Sequence, residues 1–324
     1  MSDTILSVKN LTKVFRIKEK ALFAKPKELY ALNDVTLSVS RGETLGIIGE
    51  SGCGKSTFGK CVVRLHKPTA GSIIYRGLDL ANSDQKAIKP YRRHFQMVFQ
   101  DPFSSLDPRL TAADAIEEAM LIHNIEPHKK RRQERIIEVL REVGLDVQHA
   151  NRYPHEFSGG QRQRINIARV LSLDPELIVC DEPVSALDVS IQAQVINLLK
   201  DLQEKRGLTY LFISHDLSVI KHVSTRIAIM YLGKVVELCS AQEIYHHPLH
   251  PYTNALLSAI PPESPFDKRD QIKLYGDIPT PIGLHSSCPL HTRCTQRSGR
   301  CMNEMPSLKD VGGGHFVACF LYDR

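Results

Sequence analysis

The stretch Thr44-Leu45-Gly46-Ile47-Ile48-Gly49-Glu50-Ser51-Gly52-Cys53-Gly54-Lys55-Ser56 decides the fold. Its apolar start reads as a buried strand that runs into a glycine-rich turn, and Lys55 opens a helix expected to reach about Leu65. Glycines let successive N–H groups curl around phosphates, and the helix that follows points its positive end at them. Lys55 is placed to reach the β- and γ-phosphates, and the Ser56 hydroxyl to ligate Mg²⁺. Gly49, Ser51, Gly52, Cys53, Gly54 and Thr57 complete the cradle. This is the pattern of a nucleoside triphosphate site. Cys53 is expected to be a neutral side chain without a redox role.

Working outward, Leu177-Ile178-Val179-Cys180-Asp181 and Thr209-Tyr210-Leu211-Phe212-Ile213-Ser214 are short apolar runs rich in β-branched and aromatic residues. They read as buried parallel strands joined by a helix from Ile191 to Lys205. Asp181 then sits at the carboxyl edge of a sheet, where α/β folds bind ligands, and can hold Mg²⁺. Glu182 follows and can polarise an attacking water. Ile5 to Leu11 and Val35 to Val39 alternate as strands, with a Lys- and Pro-rich loop from Lys18 to Lys27 between them. Ala112 to Leu145 turns helical in period, with Gly144 as a stop signal. The run His128-Lys129-Lys130-Arg131-Arg132-Gln133-Glu134-Arg135 begins that second helix and reads as a solvated face rather than a phosphate-backbone site.

A second string, Phe157-Ser158-Gly159-Gly160-Gln161, has its own physics. Ser158 followed three residues later by Gln161 is a capping-box pattern that opens a helix to Leu171. Two glycines at a helix start leave bare N–H groups for an anion. Together with the phosphate loop, this string resembles the signature of ATP-binding cassette (ABC) proteins. Phe157 stands where leucine is more usual in that family. The resemblance covers residues 5–240 and implies an α/β, ABC-type P-loop ATPase core with a helical subdomain at about 103–172.

The resemblance assigns further roles. Gln100, after Gln96-Met97-Val98-Phe99, matches the glutamine that senses Mg²⁺ and the γ-phosphate. His215 matches the switch histidine that contacts the γ-phosphate. Ser158, Gly159, Gly160 and Gln161 would close on the ATP of an opposite subunit, and Ser185-Ala186-Leu187-Asp188 would couple two composite sites. Phe15 lies where the family places its adenine-stacking ring, with Tyr30 as the competitor. One phosphate loop and one signature string mean a single cassette.

Three segments narrow the resemblance to the dipeptide/oligopeptide importer ATPases, a family that includes nickel and glutathione importers. They are Asp101 to Arg109, Glu182 to Ser190, and His250-Pro251-Tyr252-Thr253-Asn254-Ala255-Leu256-Leu257, which lies outside the shared ATPase machinery. The implied division is 1–245 as the ATPase domain and 246–324 as a small Cys-rich C-terminal extension, loop-rich around Pro261, Pro262, Pro265, Pro279 and Pro281. The implied partners are a second ABC ATPase in a heterodimer, two transmembrane permeases and an extracytoplasmic peptide-binding protein. A permease helix would dock beside Gln100 and the helical insertion, on the cytoplasmic face of the cell membrane.

Composition agrees with a peripheral subunit. The 324 residues are 42% hydrophobic and 24% charged, and the net charge of +6 is mild for this length. No run approaches the ~18–20 apolar residues that span a bilayer, and the first residues carry no secretory pattern. A soluble ABC protein acting on nucleic acid or the ribosome is the competing class, but those usually carry two cassettes or a long coiled-coil insertion. No nucleic-acid partner is therefore expected. Of eight cysteines, Cys288, Cys294, Cys301 and Cys319 crowd together near the C-terminus, which suggests a metal more than disulfides in a reducing compartment. Four thiolates suit zinc or a [4Fe–4S] cluster, and unliganded thiols remain an alternative; the family resemblance favours iron–sulfur. His285, His291 and His315 leave mixed ligation open.

Overall fold

Five-residue apolar runs that are buried along their whole length set the two compact units into which the chain divides. The computed structural model describes residues 3–17, 26–260, 271–283 and 286–323. Most of the Lys18–Lys27 loop, together with Pro261, Pro262, Pro265 and His285, lies outside the described residues.

The first unit comprises Met1–Asp3, Ser40–Glu43 and Ser83–Ile213. Its strands Phe95–Val98, Leu177–Asp181 and Thr209–Ile213 are neighbours and run parallel, with Val98 opposite Cys180 and Asp181 opposite Ile213. The crossover helix Val189–Arg206 connects the last two and stops at Gly207, whose φ of 64° is the left-handed cap expected of glycine. Between the first two strands the chain forms helices Ala112–Ile122, Lys129–Glu142 and Gly159–Leu171, which pack on one another. The Thr111 side chain accepts from the Asp114 N–H and the Asp114 carboxylate from the Thr111 N–H, so a full capping box starts the first of them. Ile136, Val139 and Leu140 form the buried stripe of the second helix. The basic run begins that helix as expected. Arg132 pairs with Glu117 at 2.8 Å and Arg135 with Glu138 at 2.8 Å, so two of its arginines already face carboxylates.

The second unit comprises Thr4–Val39, Thr44–Asn82 and Ser214–Arg324. One antiparallel sheet orders Lys27–Ser40, Thr4–Ile17, Ala70–Tyr75 and Leu78–Asp79. The other runs, by order, Lys309–Asp310, Phe316–Val317, Lys234–Ser240, Arg226–Tyr231 and Thr44–Ile48. Its last pair is parallel, with Ile48 opposite Ile229, and the helix Lys55–Val62 follows.

The C-terminal segment is not a separate layer in this unit. Phe316–Val317 pairs with Lys234–Ser240, placing Glu237 opposite Val317 and Leu238 opposite Phe316. Two-residue strands carry no readable period, so the sequence shows only a loop-rich tail here. Among the described residues of this region the longest helix is Pro251–Ser258, with eight residues.

Candidate nucleotide site and cysteine cavity

In the second unit the phosphate loop leaves the buried strand Thr44–Ile48 at Gly49. A Cβ on Gly49 would overlap the Met230 carbonyl oxygen and crowd the Cys53 sulfur. Gly54 has φ of 107°, and a Cβ there would overlap the Ala31 carbonyl oxygen. Only glycine passes at both points. Gly54 is also the N-cap of the helix Lys55–Val62, which no side chain caps. A helix start of this kind favours an anion. The Lys55 ammonium, on a residue only 5% exposed, donates to the carbonyls of Gly49 at 2.6 Å and Glu50 at 3.1 Å. It is thus held folded over the loop that a triphosphate would enter. Cys53 is buried, and burial pushes its thiol up, which keeps it neutral as expected.

Ser56 and Thr57 lie in the first turn of that helix. His215 is exposed just beyond the residues of the Thr209–Ile213 run, and Asp216 caps the following helix Leu217–Val223 by accepting from the Ser218 N–H at 2.7 Å. Phe15 is half-exposed on the antiparallel sheet, edge-on to His66 with ring centres 5.6 Å apart, and the Lys13 ammonium lies 4.8 Å from its ring centre. Tyr30, its competitor, donates its hydroxyl to Glu28 at 3.3 Å.

In the first unit the structure brings Gln100 and Glu182 together: the Gln100 amide donates to a Glu182 carboxylate oxygen at 2.8 Å. Asp181 is buried at the end of its strand. Glu182 has φ of 47°, a left-handed conformation uncommon outside glycine and characteristic of functional turns. Its N–H donates to the Ile213 carbonyl at 2.9 Å, which fixes that turn against the neighbouring strand.

The capping box at Ser158 is complete. Its hydroxyl accepts from the Gln161 N–H at 3.3 Å, and the Gln161 side chain accepts from the Ser158 N–H at 3.0 Å. The helix begins at Gly159, two residues earlier than Gln161. Gly160 has a second reason to be glycine, since a Cβ would overlap the Ile191 side chain. The buried Gln163 amide donates to the Pro183 carbonyl at 2.7 Å, tying this helix to the turn after Glu182. Asp188 caps the helix Val189–Arg206 by position, without a side-chain bond.

Cys288, Cys294, Cys301 and Cys319 line one cavity of about 110 Å³, together with His250 and His291. Burial, then mutual repulsion, pushes Cys288 up to about 11, and burial raises Cys294 and Cys319 as well. Among the described residues no group of three or more His, Cys, Asp or Glu is placed to hold a metal ion. His315 does not join the thiols. Its Nε2 lies 2.7 Å from the fully buried Glu237 carboxylate, 78 residues away in sequence, a pairing that spacing among the cysteines could not show.

Glu237 is the anchor of this region, and sequence reasoning missed it. Besides His315, it accepts from the N–H groups of Leu249 at 2.8 Å and His250 at 3.0 Å. His250 caps the helix Pro251–Ser258 by accepting from the Tyr252 N–H at 3.1 Å, and Pro251 fills the first helical position. Burial pushes the His250 imidazole down to about 3, so it stays neutral and able to accept. Tyr252 in turn accepts from the Glu50 N–H at 2.9 Å. The three adjacent residues His250-Pro251-Tyr252 were legible as a motif; their reach to the phosphate loop was not.

Comparison with known proteins gives this geometry its class. Residues 32–185 match the family described as ABC transporter, and residues 236–301 the family described as oligopeptide/dipeptide transporter, C-terminal region. The dimeric post-hydrolysis structure of the ATP-binding cassette MJ0796, bound to ADP and Pi, aligns with a TM-score of 0.63 at 31% identity. It covers 73% of this chain and 98% of that one. The fold is that of an ABC-type ATPase. The oligopeptide transport ATP-binding protein AppF of Bacillus subtilis (strain 168) is 51% identical over 323 residues, 99% of this chain and 98% of that protein. The dipeptide transport ATP-binding protein DppF of Escherichia coli (strain K12) is 46% identical over 324 residues, 100% of this chain and 96% of that protein. The chain belongs to the family of oligopeptide and dipeptide transport ATP-binding proteins.

Replacing Glu237 by Leu strips the Leu249 and His250 N–H groups of their acceptor and the His315 imidazole of its partner at once. We expect Glu237→Leu to lose about 3–5 kcal/mol of stability in chemical denaturation. A loss below about 1 kcal/mol would mean that Glu237 does not anchor the C-terminal segment.

Proposed function

We propose that this chain is the ATP-hydrolysing subunit that powers import of dipeptides or oligopeptides through a pair of membrane permeases. One observation carries the reading. The likeness to peptide-transport ATP-binding proteins runs the full length of the chain, through both the cassette and the C-terminal segment outside it. We read 1–245 as the ATPase domain and 246–324 as its importer-type extension.

The phosphate loop wraps ATP, Lys55 moves onto the β- and γ-phosphates, and Ser56, Gln100 and Asp181 hold Mg²⁺. Glu182 polarises the attacking water, with the Gln100 amide already on its carboxylate. His215 contacts the γ-phosphate and Phe15 stacks on adenine. The Ser158–Gln161 turn closes on the ATP of a second, related cassette through the Gly159 and Gly160 N–H groups, which the capping box does not use, and this calls for a dimer, here a heterodimer. No helix among the described residues is long and apolar enough to cross a membrane, so the pore belongs to other chains. Phe103, Leu121 and Ile122 are each more than half exposed on the first unit, apolar surface that suits a permease helix. An extracytoplasmic peptide-binding protein completes the assembly, at the cytoplasmic face of the cell membrane.

We further propose that Cys288, Cys294, Cys301 and Cys319 hold a [4Fe–4S] cluster. The support is that the four thiols line one cavity, and four thiolates are a ligand set that such a cluster takes. A bound cluster would supply the positive charge that four crowded thiolates need.

Affinity purification from detergent-solubilised membranes should bring down two permeases and a second cassette; ribosomal or DNA-bound partners without a permease would overturn the importer reading. Glu182→Gln should bind ATP, accumulate closed dimers and hydrolyse on the order of 10²–10⁴-fold more slowly. Unchanged turnover removes Glu182 from its role. Protein purified without air should be brown, and Cys294→Ser should bleach it while ATP still binds. A colourless wild type prepared that way ends the iron–sulfur reading.

A further inference from the structure

Glu50 sets a carboxylate inside the loop that receives the triphosphate, one residue after Gly49. An unpaired negative charge there opposes the ligand. The structure pairs it. Arg293, from the segment between Cys288 and Cys294, directs Nη1 to one Glu50 oxygen at 2.9 Å and Nη2 to the other at 3.3 Å. This is the fork-to-carboxylate geometry that only arginine offers.

The pair is built rather than incidental. The Arg293 side chain is only 9% exposed, and its Nε has no hydrogen-bond partner among the described residues, so a buried donor is left unmet to keep the fork on Glu50. Arg293 Nη1 also reaches the Tyr231 hydroxyl at 3.4 Å. The Tyr231 ring lies 4.6 Å from that of Tyr252, whose hydroxyl accepts from the Glu50 N–H. Glu50 is therefore gripped at its carboxylate by Arg293 and at its backbone by Tyr252. On the Arg293 side, its own N–H and that of Cys294 both donate to the Leu290 carbonyl at 2.9 Å, so the cysteine-bearing turn fixes where the guanidinium stands.

We propose that Arg293 is a positioning residue for ATP: it neutralises and orients Glu50, so that nucleotide affinity depends on the turn between Cys288 and Cys294 being seated. This rests on the reading of the phosphate loop as the ATP site. Arg293 does not touch the nucleotide; it sets the charge and geometry of the loop that does.

The test is ATP affinity of the full chain with Mg²⁺, by calorimetry, with thermal stability measured alongside. Arg293→Gln should weaken ATP binding about 10–100-fold, a deficit that shrinks as salt is raised. Glu50→Gln sets the reference without the carboxylate. In Arg293→Gln/Glu50→Gln, affinity should return to within about 3-fold of that reference, because the charge Arg293 covers is gone. A double variant as weak as Arg293→Gln alone would overturn the proposal and leave Arg293 a packing residue. If Arg293→Gln does not fold, Arg293→Lys carries the same comparison. It keeps the charge without the fork and should lose about 3-fold, a loss that Glu50→Gln abolishes. Wild type that binds no ATP would refute the site itself; wild type that binds as well as folded Arg293→Gln refutes only the role of Arg293.

Discussion

The phosphate loop is threaded through a gap that admits no side chain. At Gly49 the Met230 carbonyl closes one side, and at Gly54 the Ala31 carbonyl closes the other. The strands Arg226–Tyr231 and Lys27–Ser40 thus act as walls, and the loop between them takes the shape they leave. That is preorganisation in a literal sense: backbone oxygen atoms fix the loop before any ligand arrives, so binding need not first order it. The Gly233 N–H donates to the Cys53 carbonyl at 2.8 Å, and the Asn33 N–H to the Gly233 carbonyl at 2.9 Å, tying wall to loop to wall. The C-terminal segment attaches to this loop through Tyr252 and Arg293, which both bond Glu50.

The attachment also runs through a buried carboxyl group. Glu237 sits on a central strand with no solvent contact, which is tenable only because two N–H groups and an imidazole face it. Those partners come from residues 249, 250 and 315, so one carboxyl group ties two distant parts of the C-terminal segment to the sheet. The neutral His250 then starts the short helix that carries Tyr252 to Glu50. A segment with only short elements gains its order from such polar anchors, because it has few apolar faces to bury.

What the sequence made legible was whatever is local. The capping box at Ser158 and Gln161, the left-handed stop at Gly144, and the buried strands ending at Ile48, Asp181 and Ile213 all depend on neighbours a few residues away. What stayed hidden depends on partners brought together by the fold. Arg293 meets Glu50 across 243 residues and Tyr252 meets it across 202, and no period or spacing encodes such a pair. Gly160 shows the two levels at one position. Its place at a helix start is readable, whereas its exclusion of a methyl comes from Ile191 on another helix. The pairing of Gln100 with Glu182 is likewise a consequence of strand order, since Phe95–Val98 and Leu177–Asp181 are adjacent only once the helices between them are folded aside.

The four C-terminal thiols add a constraint of opposite sign to the Glu237 anchor. Glu237 is a polar group met by partners on every side, whereas Cys288, Cys294 and Cys319 are held protonated by burial and by one another. Burial therefore keeps those three thiols in the neutral form. Arg293 lies in the turn between two of these cysteines, so a change in how that turn is seated is a change in where a guanidinium stands beside the phosphate loop. The C-terminal segment and the nucleotide site are in this sense one piece of polar architecture, joined at Glu50.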